Sequence, residues 1–313
     1  MTLPSTMLAA CFDRHGGPDV LHVRELPVPR PRANQWLVRV HAAAVNPKDV
    51  LLRAGRFHPL GGLRAPYLSG FDWAGTVVAG GPEGLRLFGM LDGFRGGACA
   101  QYVVTDREHC AQVPDAVGFE QAAAVPLVAS TSLQAMRDIA ALRAGQRVLI
   151  NGAAGGVGTV AVQIAKFLGA QVHATASARN QARLRELGAD EVSDYRELQH
   201  TLQSERFDVI FDVFGKLCLA DARPGLSERG VLVTTVPNIA HGLDIVRSLA
   251  SRQRMRLVAV RSRRADLALI ADLLSRGALT PVIDRVLPLA EIADAHRHLA
   301  TKHAQGKVVL RVP

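Results

Sequence analysis

The chain has 313 residues, 48% of them apolar and 21% charged, which are ordinary values for a globular protein. They exclude a disordered or collagen-like chain, and no apolar run approaches the roughly 18 residues that a membrane-spanning helix needs. The formal net charge is +9, and the 37 bases include only five Lys; guanidinium grips phosphates and carboxylates bidentately, so anionic small molecules suit this surface.

At about 100–200 residues per domain, the length accommodates two. The first stretch reads as β-rich. Residues 7–12 form a strand. The letters Leu8-Ala9-Ala10-Cys11 look like a lipoprotein cleavage box, but no basic segment precedes them. Val20 to Arg24 and Leu37 to Ala42 alternate with period two. Gly16-Gly17-Pro18, Gly61-Gly62, Gly80-Gly81-Pro82 and Gly96-Gly97 punctuate them as turns. Many short strands with such turns suggest a small barrel. Near residue 120 the pattern changes. Residues 119–141 are Ala-rich and helical. Strands then alternate with helices: 147–151, helix 159–168, 171–176, helix 181–187, 207–212, 231–235 and 257–260. Alternation of this kind implies a parallel sheet with right-handed crossovers. The tail returns to strand at Lys307–Val312.

The four Cys (Cys11, Cys99, Cys110 and Cys218) show no CxxC spacing, which points to free thiols in a reducing cytoplasm. Seven Arg fall between Arg247 and Arg264. No aromatic residue interleaves them, so this run reads as solvated helix and strand faces rather than as a nucleic-acid platform.

Strand 147–151 leads into Gly152-Ala153-Ala154-Gly155-Gly156-Val157-Gly158 and then a helix. A dinucleotide site needs a tight turn, a bare backbone where the pyrophosphate approaches, and close helix–strand packing. The helix amino end then offers free N–H groups and its positive dipole end. A strand before, a helix after and a second strand at 171–176 give the motif its context. An NAD site places an acid about 20 residues on, to hold the ribose 2′-hydroxyl. Here that region is Ala174-Thr-Ala-Ser-Ala-Arg-Asn180, without an acid. Ser177 and Arg179 suit a 2′-phosphate, and Tyr195 adds a phenol at the start of the next loop. The expected cofactor is NADP(H).

These pieces together resemble the zinc-free quinone oxidoreductase (ζ-crystallin-like) group of the medium-chain dehydrogenase/reductase superfamily. The resemblance runs through Phe12-Asp-Arg-His-Gly-Gly-Pro-Asp-Val-Leu21, Val45-Asn-Pro-Lys-Asp49, Arg53-Ala-Gly55, Gly70-Phe-Asp-Trp-Ala-Gly75, Gly97-Ala-Cys-Ala-Gln-Tyr102, the glycine loop and Gly306-Lys307. It implies an α/β protein with a GroES-like β-barrel domain (1–122 and 281–313) and a Rossmann doubly wound parallel-sheet domain (123–280). It also implies an active site in the cleft between the two.

Zinc members of the superfamily carry a Cys ligand in the segment matching Asn46–Asp49 and a His where Phe71 stands; this chain has neither. His296/His298 and Cys99/His109/Cys110 lack a third ligand at zinc spacing. The resemblance therefore implies metal-free hydride transfer to a quinone or an α,β-unsaturated carbonyl, with Asn46, Lys48 and Thr131 beside the nicotinamide. Leu51 and Phe57 stand where many bacterial members carry Tyr, which makes the expected pocket more apolar. The segment 83–94 is shortened. Two other readings stay open: an enoyl-thioester reductase, and a non-catalytic NADPH-binding protein like the RNA-binding ζ-crystallins. Neither a nucleic-acid nor a membrane partner is expected, and a homodimer is left open.

Overall fold

The structure is a computed structural model that describes residues 3–56, 64–236 and 238–313. It divides into two compact units, residues 1–127 with 261–313 and residues 128–260. This division differs from the expected boundaries, because residues 123–127 and 261–280 pack with the first unit.

The first unit is largely antiparallel. Strands β1 (Thr6–Phe12) and β2 (His22–Pro27) pair with each other, and β1 also pairs with β4 (Tyr67–Leu68). Strand β3 (Gln35–Val45) is the longest and sits mid-sheet. It pairs with β5 (Asp72–Ala79), β7 (Tyr102–Asp106) and the carboxy-terminal β16 (Lys307–Arg311). Strands β6 (Arg86–Met90) and β8 (Cys110–Gln112) extend one side, and β15 (Ile283–Pro288) lies beside β16. The inward residues are small or aromatic. Ala42, Ala43 and Ala44 let Trp73, Phe71 and Phe88 fill the interior, all at 0% exposure. Among the described residues four helices belong to this unit: α1 (Pro47–Arg53), α2 (Phe119–Ala123) and, late in the chain, those at Arg264–Ser275 and Ile292–Ala300.

The expected helix over 119–141 is interrupted. Proline 126 cannot donate to a preceding carbonyl, so α2 ends and α3 (Pro126–Leu133) begins anew, continuing as a π-helical turn, Gln134–Ile139.

The second unit is a six-stranded parallel sheet in the order β11-β10-β9-β12-β13-β14. The strands are β9 (Arg147–Asn151), β10 (Gln171–Ala176), β11 (Glu191–Asp194), β12 (Phe207–Asp212), β13 (Leu226–Thr234) and β14 (Arg254–Leu257). Its helices are α4 (Gly156–Phe167), α5 (Ala178–Glu186), α6 (Leu198–Ser204), α7 (Leu219–Ala222) and α8 (Ile239–Ser248). Chain order reverses at β9, and ligands bind at such a switch point in doubly wound sheets. The last strand lies at 254–257 rather than 257–260, because Met255 pairs with Leu232 and is fully buried. Helix α8 was not anticipated from its pattern: Ile239, Leu243, Val246 and Leu249 are exposed, so its apolar spacing does not mark the packed side.

Within the Arg-rich run, Arg252 pairs with Glu228, Arg254 donates to the Leu249 carbonyl, and Arg264 stands 3.8 Å from Glu108. Among the described residues no helix is long and apolar enough to cross a membrane.

Candidate active site

In the second unit, β9 ends at Asn151 and the chain turns at Gly152, whose φ of +90° lies in the left-handed region that favours glycine. A Cβ on Gly152 would meet the Phe214 ring at 2.7 Å. A Cβ on Gly158 would sit 2.3 Å from the Gly152 carbonyl oxygen, so this glycine lets α4 lie directly on the loop. A Cβ on Gly155 would meet nothing closer than 4.0 Å. Its bareness serves no internal contact and leaves the helix entrance open to a ligand.

The loop is pinned by polar groups at neighbouring strand ends. The Thr175 hydroxyl donates to Asn151 Oδ1 at 2.9 Å, and Asn151 Nδ2 donates to Asp212 Oδ1 at 2.9 Å. The Ala153 N–H donates to the Thr175 carbonyl at 3.2 Å. Ala153, Ala154, Gly156 and Val157 complete the turn into α4. Ser132 Oγ, on α3, donates to the Val128 and Val157 carbonyls at 2.8 and 3.4 Å. That tie brings the helix bearing Thr131 against the glycine loop. Both Ser130 Oγ and Thr131 Oγ1 are buried without a hydrogen-bond partner from the protein.

Of the three residues expected around a 2′-phosphate, Ser177 and Tyr195 follow adjacent strand ends, and Arg179 sits in the helix after Ser177. Ala176 of β10 pairs with Asp194 of β11, and Ser177 and Tyr195 are the next residues in each strand. Ser177 is the amino-terminal cap of α5, and its Oγ accepts from Asn180 Nδ2 at 3.2 Å. Arg179 lies exposed in the first turn, and Tyr195 is 52% exposed. One acid is nearby, Asp194. It is held by Arg196 through paired bonds of 3.0 and 2.8 Å, which lower its pKa to about 2.

In the first unit, Asn46 caps α1, with Pro47 at the first helical position. The Asn46 N–H donates to Asp49 Oδ2 at 2.8 Å, and Asp49 Oδ1 accepts from the Gly70 N–H at 2.7 Å. The Asn46 side chain is fully buried. Its Nδ2 donates to Asp72 Oδ2 at 3.0 Å and to the Ala44 carbonyl at 3.3 Å, and its Oδ1 accepts from Lys307 Nζ. Lys307 also reaches Asp72 Oδ2 at 3.2 Å, and Asp72 Oδ1 accepts from the Leu127 N–H at 2.9 Å. Both amide hydrogens of Asn46 are thus committed inside the protein. An amide has two N–H donors, so none is left for a substrate oxygen. The geometry makes Asn46 a tie between β3, β5 and β16.

Burial raises the Asp49 pKa to about 6 against the two backbone N–H bonds that lower it, and burial likewise raises Asp72 against the Lys307 charge. Lys48 differs from Asn46. Its Nζ lies 3.9 Å over the Phe71 ring, and desolvation pushes its pKa down despite the Asp49, Asp92 and Asp72 charges. Leu51 is half exposed, and Phe57 lies outside the described residues.

The alternative ligand sets noted in the sequence lie apart in role. His296 is fully buried beside Ser69 Oγ at 3.4 Å, and desolvation lowers its pKa to about 3; His298 is bound to Asp284 at 2.5 Å. Burial raises the Cys99 and Cys110 pKa values, Cys110 to about 12. Sequence reading did not single out Asp49, Asp72, Thr175 or Asp212, which lack any local signal beyond polar type.

Residues 32–115 match the alcohol dehydrogenase GroES-like domain, and residues 187–310 match the zinc-binding dehydrogenase family. A solved quinone oxidoreductase from Coxiella burnetii is 32% identical, with 98% of this chain and 100% of that one covered and a TM-score of 0.88. The chain belongs to the quinone oxidoreductase group of the medium-chain dehydrogenase/reductases. It is an oxidoreductase, and its two units are the GroES-like and Rossmann folds of that superfamily. The chloroplastic NADPH-dependent alkenal/one oxidoreductase of Arabidopsis thaliana is 31% identical over 99% of this chain and 80% of its own length. The Escherichia coli quinone oxidoreductase, solved in complex with NADPH, is 25% identical, with 97% of this chain and 99% of that one covered and a TM-score of 0.85.

Proposed function

We propose that this oxidoreductase uses NADPH to reduce quinones or α,β-unsaturated carbonyls, with no metal in the chemical step. One observation carries the reading. Buried Phe71 occupies the place of the zinc superfamily's His ligand, and the Lys48 ammonium lies on its ring. A benzyl side chain cannot ligate a cation, but its face attracts one. Lys48 thus sets a cation beside the residue that, in the resemblance, stands where zinc members carry a His ligand.

The Rossmann unit fits the dinucleotide. Gly152, Ala153, Ala154, Gly155, Gly156, Val157 and Gly158 would take the pyrophosphate, with open space at Gly155 and the α4 amino end facing it. Ser177, Arg179 and Tyr195 would take the 2′-phosphate. The Thr131 hydroxyl, buried and unpartnered, is a donor or acceptor for the nicotinamide amide. When bound, NADPH supplies the hydride.

The chain's own residues supply the rest. As hydride reaches an acceptor, charge builds on the acceptor oxygen, and a preorganised donor there lowers the barrier. Lys48 is that donor. Desolvation weakens its hold on its proton, which makes it a stronger acid than an exposed lysine. Asn46 and Asp49 shape the turn that aims Lys48, and Lys307 and Asp72 hold Asn46. Quinones need little acid assistance because the ring stabilises the hydroquinone anion, so they should react faster than isolated enones. The four free thiols support a reducing cytoplasm.

NADPH consumption with a panel of quinones, enones and enoyl-CoA tests the proposal. Quinones are expected to react fastest and enones next. Failure of every quinone and enone to oxidise NADPH would overturn it, and preference for enoyl-CoA would move the assignment to thioester reduction.

A further inference from the structure

The Rossmann unit contains a second group of chemistry-bearing side chains, at the opposite ends of the strands from the phosphate loop. His173 lies near the start of β10, Glu191 begins β11, and Glu205 follows α6. Residues 173 and 191 are register partners, so both side chains project from the same face of the sheet. Glu205 reaches that face from the connection to β12.

The His173 side chain is 7% exposed, and its Nδ1 is buried with no hydrogen-bond partner. Yet this nitrogen lies 3.3 Å from Glu191 Oε2 and 3.4 Å from Glu205 Oε2. The other ring nitrogen, Nε2, is 2.9 Å from Ser193 Oγ. If Nε2 carries the proton and donates it to Ser193, Nδ1 presents a lone pair to two carboxylates. Arg147 stands beside both carboxylates, but no donor reaches Nδ1 itself. Neither carboxylate oxygen lies where an N–H on Nδ1 would make a hydrogen bond.

A tetrahedral zinc with bonds of about 2.0–2.1 Å sets its ligand atoms about 3.3–3.4 Å apart. That is the spacing found between Nδ1 and both carboxylate oxygens. His173, Glu191 and Glu205 are also the one group of three or more potential ligands that converges among the described residues. The Nε2–Ser193 bond has the form of the outer contact that fixes the tautomer of a metal-bound imidazole.

We infer that His173, Glu191 and Glu205 form a structural site for a divalent transition cation, zinc above all, with water completing the tetrahedron. No ion is present in the structure. Arg147 sets the site's strength. Its Nη2 donates to Glu205 Oε2 at 2.6 Å and stands 3.7 Å from Glu191, so it orients the carboxylates and repels the incoming cation. The site is accordingly weaker than an all-cysteine one. Its effect is to clip β10, β11 and the α6–β12 connection together, away from the catalytic machinery.

The test uses full-length protein stripped with a chelator and titrated with Zn2+, and with Co2+ as a spectroscopic probe. One Zn2+ per chain is expected, with the intense visible bands of tetrahedral Co2+ and a rise in Tm on loading. Glu191→Gln is partly exposed and should fold normally; it should weaken binding at least tenfold, as should His173→Ala. Ser193→Ala should weaken it about tenfold. Absence of stoichiometric binding by the folded wild type would overturn the proposal. So would binding that survives Glu191→Gln and His173→Ala but is lost in Asp49→Asn or Cys99→Ser, since the metal would then lie in the GroES-like unit.

Discussion

Arg179 is exposed in the first turn of α5 beside its cap Ser177, where a carboxylate would serve NAD. Under the proposed function its guanidinium meets the 2′-phosphate. Arg179→Ala should weaken NADPH by roughly 1.5–3 kcal/mol, the scale of a charge-assisted hydrogen bond, and leave NADH unchanged. Titration of both cofactors checks this, and equal losses would refute it. Lys48 carries the chemical prediction. Lys48→Met keeps the stem over Phe71 and removes the charge. Enone turnover should fall about 10²–10³-fold, the usual loss for one oxyanion donor, with a smaller fall for quinones. Asn46→Ala acts differently, because Asn46 spends its donors internally; it should lower stability along with turnover. Asp49 gives a pH signature. Its folded pKa of about 6 lies above the ordinary 3.8, so the folded state binds this proton more tightly than the unfolded chain does. The group alone therefore makes stability fall as pH rises from about 4 to about 6, by roughly 3 kcal/mol at one 1.36 kcal/mol step per unit. Asp49→Asn can accept only one of the two backbone N–H bonds and should be less stable throughout, but its stability curve should lack this slope. Denaturant midpoints measured at several pH values in that window would show it.

At the scale of elements, the β9–loop–α4 segment is the most constrained. Gly158 stands where any Cβ would strike the Gly152 carbonyl and the Ala153 backbone at 2.3–2.6 Å. Backbone atoms cannot step aside as side-chain tips do. Gly158→Ala should therefore cost about 1–3 kcal/mol of stability and lose most NADPH affinity. Gly155→Ala meets no internal atom, so it should keep the wild-type Tm while still weakening the cofactor. A fall in both properties for Gly155→Ala would mean that its bareness serves packing after all. The helix of 119–141 teaches the converse. Its composition is helical throughout, but Pro126 and the Asp72 carboxylate, which accepts the Leu127 N–H, fix a new start at α3.

At the scale of the whole molecule, the last strand closes the first unit. β16 pairs with β3 and delivers Lys307 to Asn46 and Asp72. Catalysis and metal binding are expected to be separable. Exhaustive chelation should leave NADPH-dependent turnover unchanged at moderate temperature while lowering Tm, and added Zn2+ should restore the Tm. Loss of turnover in step with zinc would contradict metal-free chemistry.

The strand–glycine loop–helix segment, the doubly wound order of strands and the absence of an acid at the end of β10 were legible in the sequence, because each depends on residues close together in the chain. Turn chemistry, strand period and helix start are local physics. The buried ties of Asn46 were not legible. Its type and its resemblance suggested a donor for substrate, and only the fold brings Asp72 and Lys307 close enough to consume that donor. The same holds for His173, Glu191 and Glu205. The sequence drew attention instead to His296 with His298 and to Cys99 with Cys110, where the letters lie near each other. Parallel strands join residues that are distant in sequence, and carboxylates there look like any solvated charge until register sets them around one nitrogen. Local propensity determined which elements form; long-range pairing alone decided which polar groups meet, and hence which donors remain free.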